Sequence, residues 1–251
     1  MLFFILSCGS ASDKTEADKT NDYTSIDTVS ALEIDTLSVE IEKETIAVIG
    51  ELEQKLIDAG LVDIQSLDST IQVELKYSTT DNFLNEDVYG ELTRAYLQAD
   101  VAEKLVNAQK YLKDINPGLS LLVYDAVRPR SVQQKMWDIL DMPLDQKVKF
   151  VSNPANGSIH NFGAAVDLTI VDSTGQPLDM GAGFDDPRIE AWPIKEKEML
   201  EQGRISEIHI SNRKILRNVM GKAGFFNIQS EWWHFNSCYR DKAMELYEII
   251  E

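Results

Sequence analysis

The chain has 251 residues, 43% of them hydrophobic and 26% charged, enough for one full hydrophobic core and too few for several. Acidic residues outnumber basic ones 42 to 24, a net charge of -18, the wrong sign for gathering phosphates, which excludes nucleic acid as a partner. Two cysteines, Cys8 and Cys238, exclude a disulfide framework.

Residues 1–8, Met-Leu-Phe-Phe-Ile-Leu-Ser-Cys, form an apolar run that ends in a small residue and Cys8. The run resembles the lipobox at which bacterial lipoprotein precursors are cut and acylated. It predicts a lipidated Cys8, membrane association through that lipid, and a place in the bacterial cell envelope on the periplasmic side. From residue 9 to 45, Ser, Thr, Asp, Glu and Lys prevail over residues that could be buried, the composition of a flexible acidic tether. Partial alternation from Ser25 to Ile41 leaves a weak strand as the alternative.

Folded structure is expected over residues 46–251. Ile46, Ile49, Leu52 and Leu56 recur at helical spacing, and Gly60 can close that helix. Ile71 to Leu75 alternates like a half-buried strand. A long helix is predicted from Thr93 to Asp114, with Leu97, Val101, Leu105, Ala108 and Leu112 on one face and Asn116-Pro117-Gly118 ending it. Leu119 to Tyr124 reads as an apolar strand, followed by a helix capped by Ser131 and running to Leu140. Ala164 to Val171 reads as a buried strand, Ser211 to Ala223 as a helix, and Glu231 to Phe235 as a last strand. Strands and helices mix without a regular βαβ repeat, so the expected class is α+β: a single domain with a central, mostly antiparallel sheet flanked by helices.

The whole chain holds three histidines, His160, His209 and His234. Ser158-Ile-His160-Asn-Phe-Gly-Ala-Ala-Val-Asp167 sets an imidazole and a carboxylate on either side of a glycine turn, and Glu231-Trp-Trp-His234 adds a second pair. A catalytic zinc takes three protein ligands and keeps a position open, and two histidines with one carboxylate form such a set. His160, Asp167 and His234 would supply it, with Glu231 as the base that takes a proton from water and returns it to the leaving amine. Residues three or seven apart on a flat strand face opposite sides. His160 must therefore precede the strand carrying Asp167, and Glu231 must sit at a strand start, bend or bulge. Taken singly, each fragment fits a structural role at least as well: a satisfied core histidine, core tryptophans at 232 and 233, a surface salt bridge for Arg128, a turn residue for Asp185 beside Asp186-Pro187. His209 stands outside every motif and reads as a structural or surface residue.

Three motifs in one order change that balance. Tyr124-Asp-x-x-Arg128-Pro, then Ser158-x-His160-x-x-Gly-x-Ala-x-Asp167-Leu-Thr, then Glu231-Trp-Trp-His234 is similar to the D-alanyl-D-alanine dipeptidase family, which includes the vancomycin-resistance zinc dipeptidases. The likeness extends from about Ile71 to Tyr239. It implies one Zn2+ per chain at His160, Asp167 and His234, at one edge of the sheet, with Glu231 as catalytic acid and base and Arg128 stabilising charge on the substrate carbonyl. It further implies that Asp185, within Met180-Gly-Ala-Gly-Phe-Asp185, binds the free amine of a small D,D-dipeptide, with Ser158 and Tyr77 as further substrate-binding residues. The implied reaction is hydrolysis of D-alanyl-D-alanine to two D-alanine, in cell-wall peptide turnover or resistance. The alternative is a related zinc D,D- or L,D-carboxypeptidase acting on longer peptidoglycan stem peptides. A non-catalytic wall-binding lipoprotein would lack a ligand or the base, and none is missing here. Asn161-Phe162 stands where the family often has Ser-Arg, a change expected at the pocket rim.

Overall fold

In the computed structural model, which describes residues 49–251, the chain first forms α1 (Glu51–Asp58), β1 (Val62–Asp63), α2 (Ile64–Leu67), β2 (Gln72–Val73) and β3 (Tyr96–Leu97). Next come α3 (Ala99–Ile115), β4 (Ser120–Asp125), α4 (Arg130–Ile139), α5 (Leu144–Lys147) and β5 (Ala165–Val171). The chain closes with α6 (Glu196–Glu201), α7 (Glu207–Lys222), β6 (Phe226–Asn227), β7 (His234–Asn236) and α8 (Arg240–Leu246). Cys8, the acidic segment and the weak-strand alternative at Ser25 to Ile41 lie outside the described residues. Among those described, no helix is long and apolar enough to cross a membrane.

The central sheet has the order β2-β4-β5-β7-β6, in which only β2 and β4 pair in parallel, so the sheet is mostly antiparallel as expected. Every residue of β4 and β5 is buried, which explains why both read as continuous apolar runs: both faces are covered. Leu121 and Val123 enter the main core, while Leu122 and Tyr124 join Val171 and Phe184 on the other face, the alternation a strand imposes. Val101, Leu105, Ala108 and Leu112 form the buried stripe of α3, which packs on β4 and α7. Burying each leucine stabilises the fold by roughly 1.5–3 kcal/mol relative to leaving it exposed.

Several boundaries differ from expectation. The long helix begins at Ala99 because Tyr96 and Leu97 instead pair with Val62 and Asp63 across β1 and β3, and tertiary pairing overrides their helical spacing. The strand at Ile71 to Leu75 shrinks to Gln72–Val73, and the chain turns into a 3-10 helix, Lys76–Ser78, that buries Tyr77. Ser131 does not cap α4. Pro129 does, with extended backbone, and its carbonyl accepts from the Gln133 amide at 3.0 Å. Helix α7 starts at Glu207, four residues early, because the His209 ring turns back over the first turn and accepts from the Ser206 amide at 3.1 Å. Gly60 does end α1, in the left-handed conformation.

Candidate active site

Strand register builds the centre of the site. Asp125 at the end of β4 faces Asp167 of β5, and Asp167 faces His234 at the start of β7. Directly opposed residues share a face, so three polar side chains form a row across the middle of the sheet, at the edge made by the strand ends. His160 arrives from outside the sheet, on the 3-10 turn Ile159–Phe162, as strand geometry required. Ser158 caps this turn, accepting from the His160 amide, and Gly163 closes it at φ 64, a conformation that favours glycine.

The donor set suits a divalent cation. One atom each from His160, Asp167 and His234 lies within 4.8 Å of the others. His160 Nδ1 donates to the Ala126 carbonyl at 2.6 Å, which leaves Nε2 as the lone pair. His234 Nε2 donates to Asn236 Oδ1 at 2.9 Å, which leaves Nδ1 as its lone pair. Those two nitrogens stand 3.1 Å apart, with Asp167 Oδ1 at 2.9 Å from His234 Nδ1. Three electron pairs thus converge with no hydrogen between neutral rings, and the partners on the far side of each ring fix its orientation. Without a metal, burial opposes charge on His234, but the hydrogen bond and charge of Asp167 outweigh it and push the imidazole up to about 9. Burial likewise opposes charge on Asp167, yet the two histidines hold it well below the usual carboxylate range. A proton then occupies the place of a cation.

Glu231 lies ahead of β7, and the bend at Trp232 and Trp233 brings its Oε2 to 3.9 Å from His234 Nδ1. Asn227 of β6 holds that bend, its Nδ2 donating to the carbonyls of Glu231 at 2.8 Å and His234 at 2.7 Å. About a third of the Glu231 side chain still reaches the cavity (33%), but the protein around it raises its pKa through loss of hydration, followed by the pull of His234 in the other direction. Arg128 is buried and not a surface ion-pair residue: its Nε donates to Asp125 at 3.0 Å and Nη2 to the same oxygen, while Tyr89 donates to the other oxygen at 2.6 Å. Among the described residues its Nη1 has no hydrogen-bond partner, and its guanidinium lies 5.1 Å from the Tyr77 ring centroid. Tyr77 donates to Asp185 Oδ2 at 2.8 Å. Burial raises the Asp185 carboxyl well above the usual range, the Tyr77 hydrogen bond opposing it. Asp185 is one of two described non-glycine residues at positive φ, 59°.

All eight residues expected at the site, Tyr77, Arg128, Ser158, His160, Asp167, Asp185, Glu231 and His234, line one cavity of about 560 Å³. Trp233 lines it as well, whereas Trp232 stays buried in the core. The Asn161-Phe162 change is not at the rim. Both side chains are buried and neither lines the cavity: Asn161 donates to the Arg128 carbonyl at 2.7 Å and to Gln133 at 2.9 Å, bracing the turn from behind. Sequence reasoning passed over Asp125, Tyr89, Asn227 and Asn236, which orient the functional side chains. Asp125 lay inside a quoted motif; the other three carry no local signal.

A sequence profile of the Peptidase_M15 family, described as D-ala-D-ala dipeptidase, matches residues 57–248. A D-alanyl-D-alanine dipeptidase of Escherichia coli (strain K12) is 33% identical over 175 residues, 70% of this chain and 83% of that protein. A dipeptidase of the same name from Streptomyces coelicolor is 29% identical over 187 residues, 68% of this chain and 88% of that one. Among solved structures, a vancomycin resistance D,D-pentapeptidase VanY mutant in complex with Zn(II) is 14% identical, covers 61% of this chain and 79% of its own, and has a TM-score of 0.37, too distant a likeness to carry chemistry. With its motifs assembled around one cavity and the profile spanning nearly the whole described chain, the protein belongs to the M15 peptidase family of D-Ala-D-Ala dipeptidases and is a metallopeptidase enzyme.

Proposed function

We propose that this chain hydrolyses D-alanyl-D-alanine to two molecules of D-alanine, with one zinc ion held by His160 Nε2, Asp167 Oδ1 and His234 Nδ1. The convergence of those three lone pairs beside Glu231, Arg128 and the Tyr77–Asp185 pair carries this reading. Zinc bound there supplies Lewis-acid charge and lowers the pKa of water toward neutrality. Glu231 takes the proton of the attacking water and returns it to the leaving amine. Arg128, held by Asp125 and Tyr89, offers Nη1 to the developing oxyanion. Asp185 accepts the substrate ammonium, whose charge offsets the loss of hydration that raises this carboxyl.

Cavity size does not restrict the substrate to a dipeptide, since about 560 Å³ lies within the range of ~300–1,000 Å³ for drug-sized ligands. Asp185 makes that restriction: a peptide-bonded nitrogen brings no charge, and the buried carboxylate stays unpaired. We also propose Cys8 as the acylated residue of an envelope lipoprotein, which would expose the domain to dipeptide released by wall turnover.

The test is D-alanine release by the zinc-loaded protein from D-Ala-D-Ala and from a stem pentapeptide ending in D-Ala-D-Ala, beside Glu231→Ala. Wild-type turnover of the dipeptide, lowered about 10³-fold or more in the variant, is expected if the carboxylate serves both proton transfers, each worth ~10²–10⁴. Release from the pentapeptide alone would make the chain a carboxypeptidase.

A further inference from the structure

His209, Asn212 and Arg213 stand at i, i+3 and i+4 on α7 and so share one face of the helix. All three grip the loop that carries Asp185. Asn212 Nδ2 donates to the Asp179 carbonyl at 2.8 Å. His209 Nδ1 accepts from the Ser206 amide at 3.1 Å, so Nε2 carries the proton and donates to the Asp179 carboxylate, also at 3.1 Å. Arg213, only 1% exposed, acts as a cross-brace. Its Nε donates to the Met180 carbonyl at 2.7 Å and its Nη2 to the Glu190 carbonyl at 2.8 Å. Met180 and Glu190 are ten residues apart, and Asp185 lies midway between them.

That midpoint is where the backbone is strained. Asp185 sits at φ 59, a left-handed conformation that a non-glycine residue keeps only when its surroundings over-determine it. Inside the brace, Trp232 Nε1 donates to the Ala182 carbonyl at 3.1 Å, and Phe184 packs against Tyr124 and Trp233 at ring separations of 5.1 and 5.5 Å. Gly181, at φ 77, lies so close to α7 that a Cβ there would come within 2.4 Å of His209 Nδ1. A loop this long, left untied, would sample many conformations, and most would carry the carboxylate away from the Tyr77 hydroxyl.

We propose that Arg213 is a positioning residue for the substrate's amine: by tying Met180 to Glu190 it holds the Asp185 carboxylate where the ammonium of the dipeptide binds. The inference rests on the dipeptidase reading above. A rigid guanidinium fork is needed, because one lysine ammonium on a flexible stem cannot span both carbonyls.

Arg213→Lys keeps the charge and removes the fork; Gly181→Ala displaces the same loop without touching the buried arginine. Two measurements decide. In amide hydrogen exchange on the whole chain, residues 180–190 are expected to exchange at least tenfold faster in both variants, with β4 and β5 unchanged. In kinetics, kcat/KM is compared on D-Ala-D-Ala and on propionyl-D-alanine, which has hydrogen in place of the amine. The variants are expected to lose tenfold or more on the dipeptide while staying within twofold on the propionyl compound, with zinc content unchanged. Unchanged exchange in the loop, or equal losses on both substrates, would overturn the proposal. A wild type that releases no D-alanine from the dipeptide would sink the dipeptidase reading instead, and the exchange measurement would still decide whether Arg213 holds the loop.

Discussion

The histidines of the proposed metal centre differ in what holds them. His160 donates to a backbone carbonyl, whereas His234 faces Asp167 directly. In the metal-free chain this raises His234 to about 9, so at neutral pH its Nδ1 carries a proton. Zinc binds only the deprotonated nitrogen and must displace that proton. The raised value means that affinity is full above about 9 and weakens as pH falls below it. Zinc dissociation constants measured from about pH 8 down to about 6.5 are expected to rise roughly tenfold per unit, one proton released for each ion bound. A dissociation constant that stays flat over this window would show that no such proton is there. Asp167 adds nothing in this range because the histidines already hold it ionised. The three proposed ligands were legible in the sequence as candidates; the proton between two of them was not, because it depends on the 2.9 Å approach of two residues 67 positions apart.

The same division holds for elements. Hydrophobic spacing located α3, β4 and β5, since a stripe or run of apolar side chains has one way to hide from water. Elements of two or three residues fared worse: β1, β3 and β6 escaped it because their partners supply the hydrogen bonds and their own composition says little, and the strand expected from Glu231 to Phe235 is paired only over His234–Asn236. Strand β6 matters to chemistry out of proportion to its length. Its Asn227 amide holds the carbonyls on both ends of the Glu231–His234 bend and so aims the proposed acid/base carboxylate and the proposed ligand at one cavity. In Asn227→Ala those carbonyls lose their partner, at about 1–3 kcal/mol of stability. Turnover number is expected to drop about tenfold or more while KM changes less than threefold, since the Asp185 side of the cavity is untouched and even slight misplacement of a reacting group can cost ~10²-fold. Urea unfolding and steady-state kinetics on the variant check both figures; an unchanged kcat would show that Glu231 is aimed by something else.

For the molecule as a whole, the chemistry belongs to the family-matched region, residues 57–248, and the proposed anchor to Cys8 far upstream of it. Location and catalysis should therefore separate. Cys8→Ser is expected to abolish incorporation of labelled palmitate in a bacterial host and to move the protein from the membrane to the soluble fraction, with kcat/KM on the dipeptide unchanged within twofold. Labelling that persists in the variant would rule out acylation at this cysteine. By itself the sequence determined the fold class and the family and pointed to eight residues that line one cavity, six of them in three ordered motifs, because ligand chemistry restricts which side chains can serve. Tertiary structure alone decided which residues aim those eight: Asp125 and Tyr89 behind Arg128, Asn236 behind His234, Asn161 behind the His160 turn, and Arg213 behind Asp185. Each makes an ordinary hydrogen bond that becomes decisive only because burial leaves its partner no water to turn to, and no spacing along the chain records that.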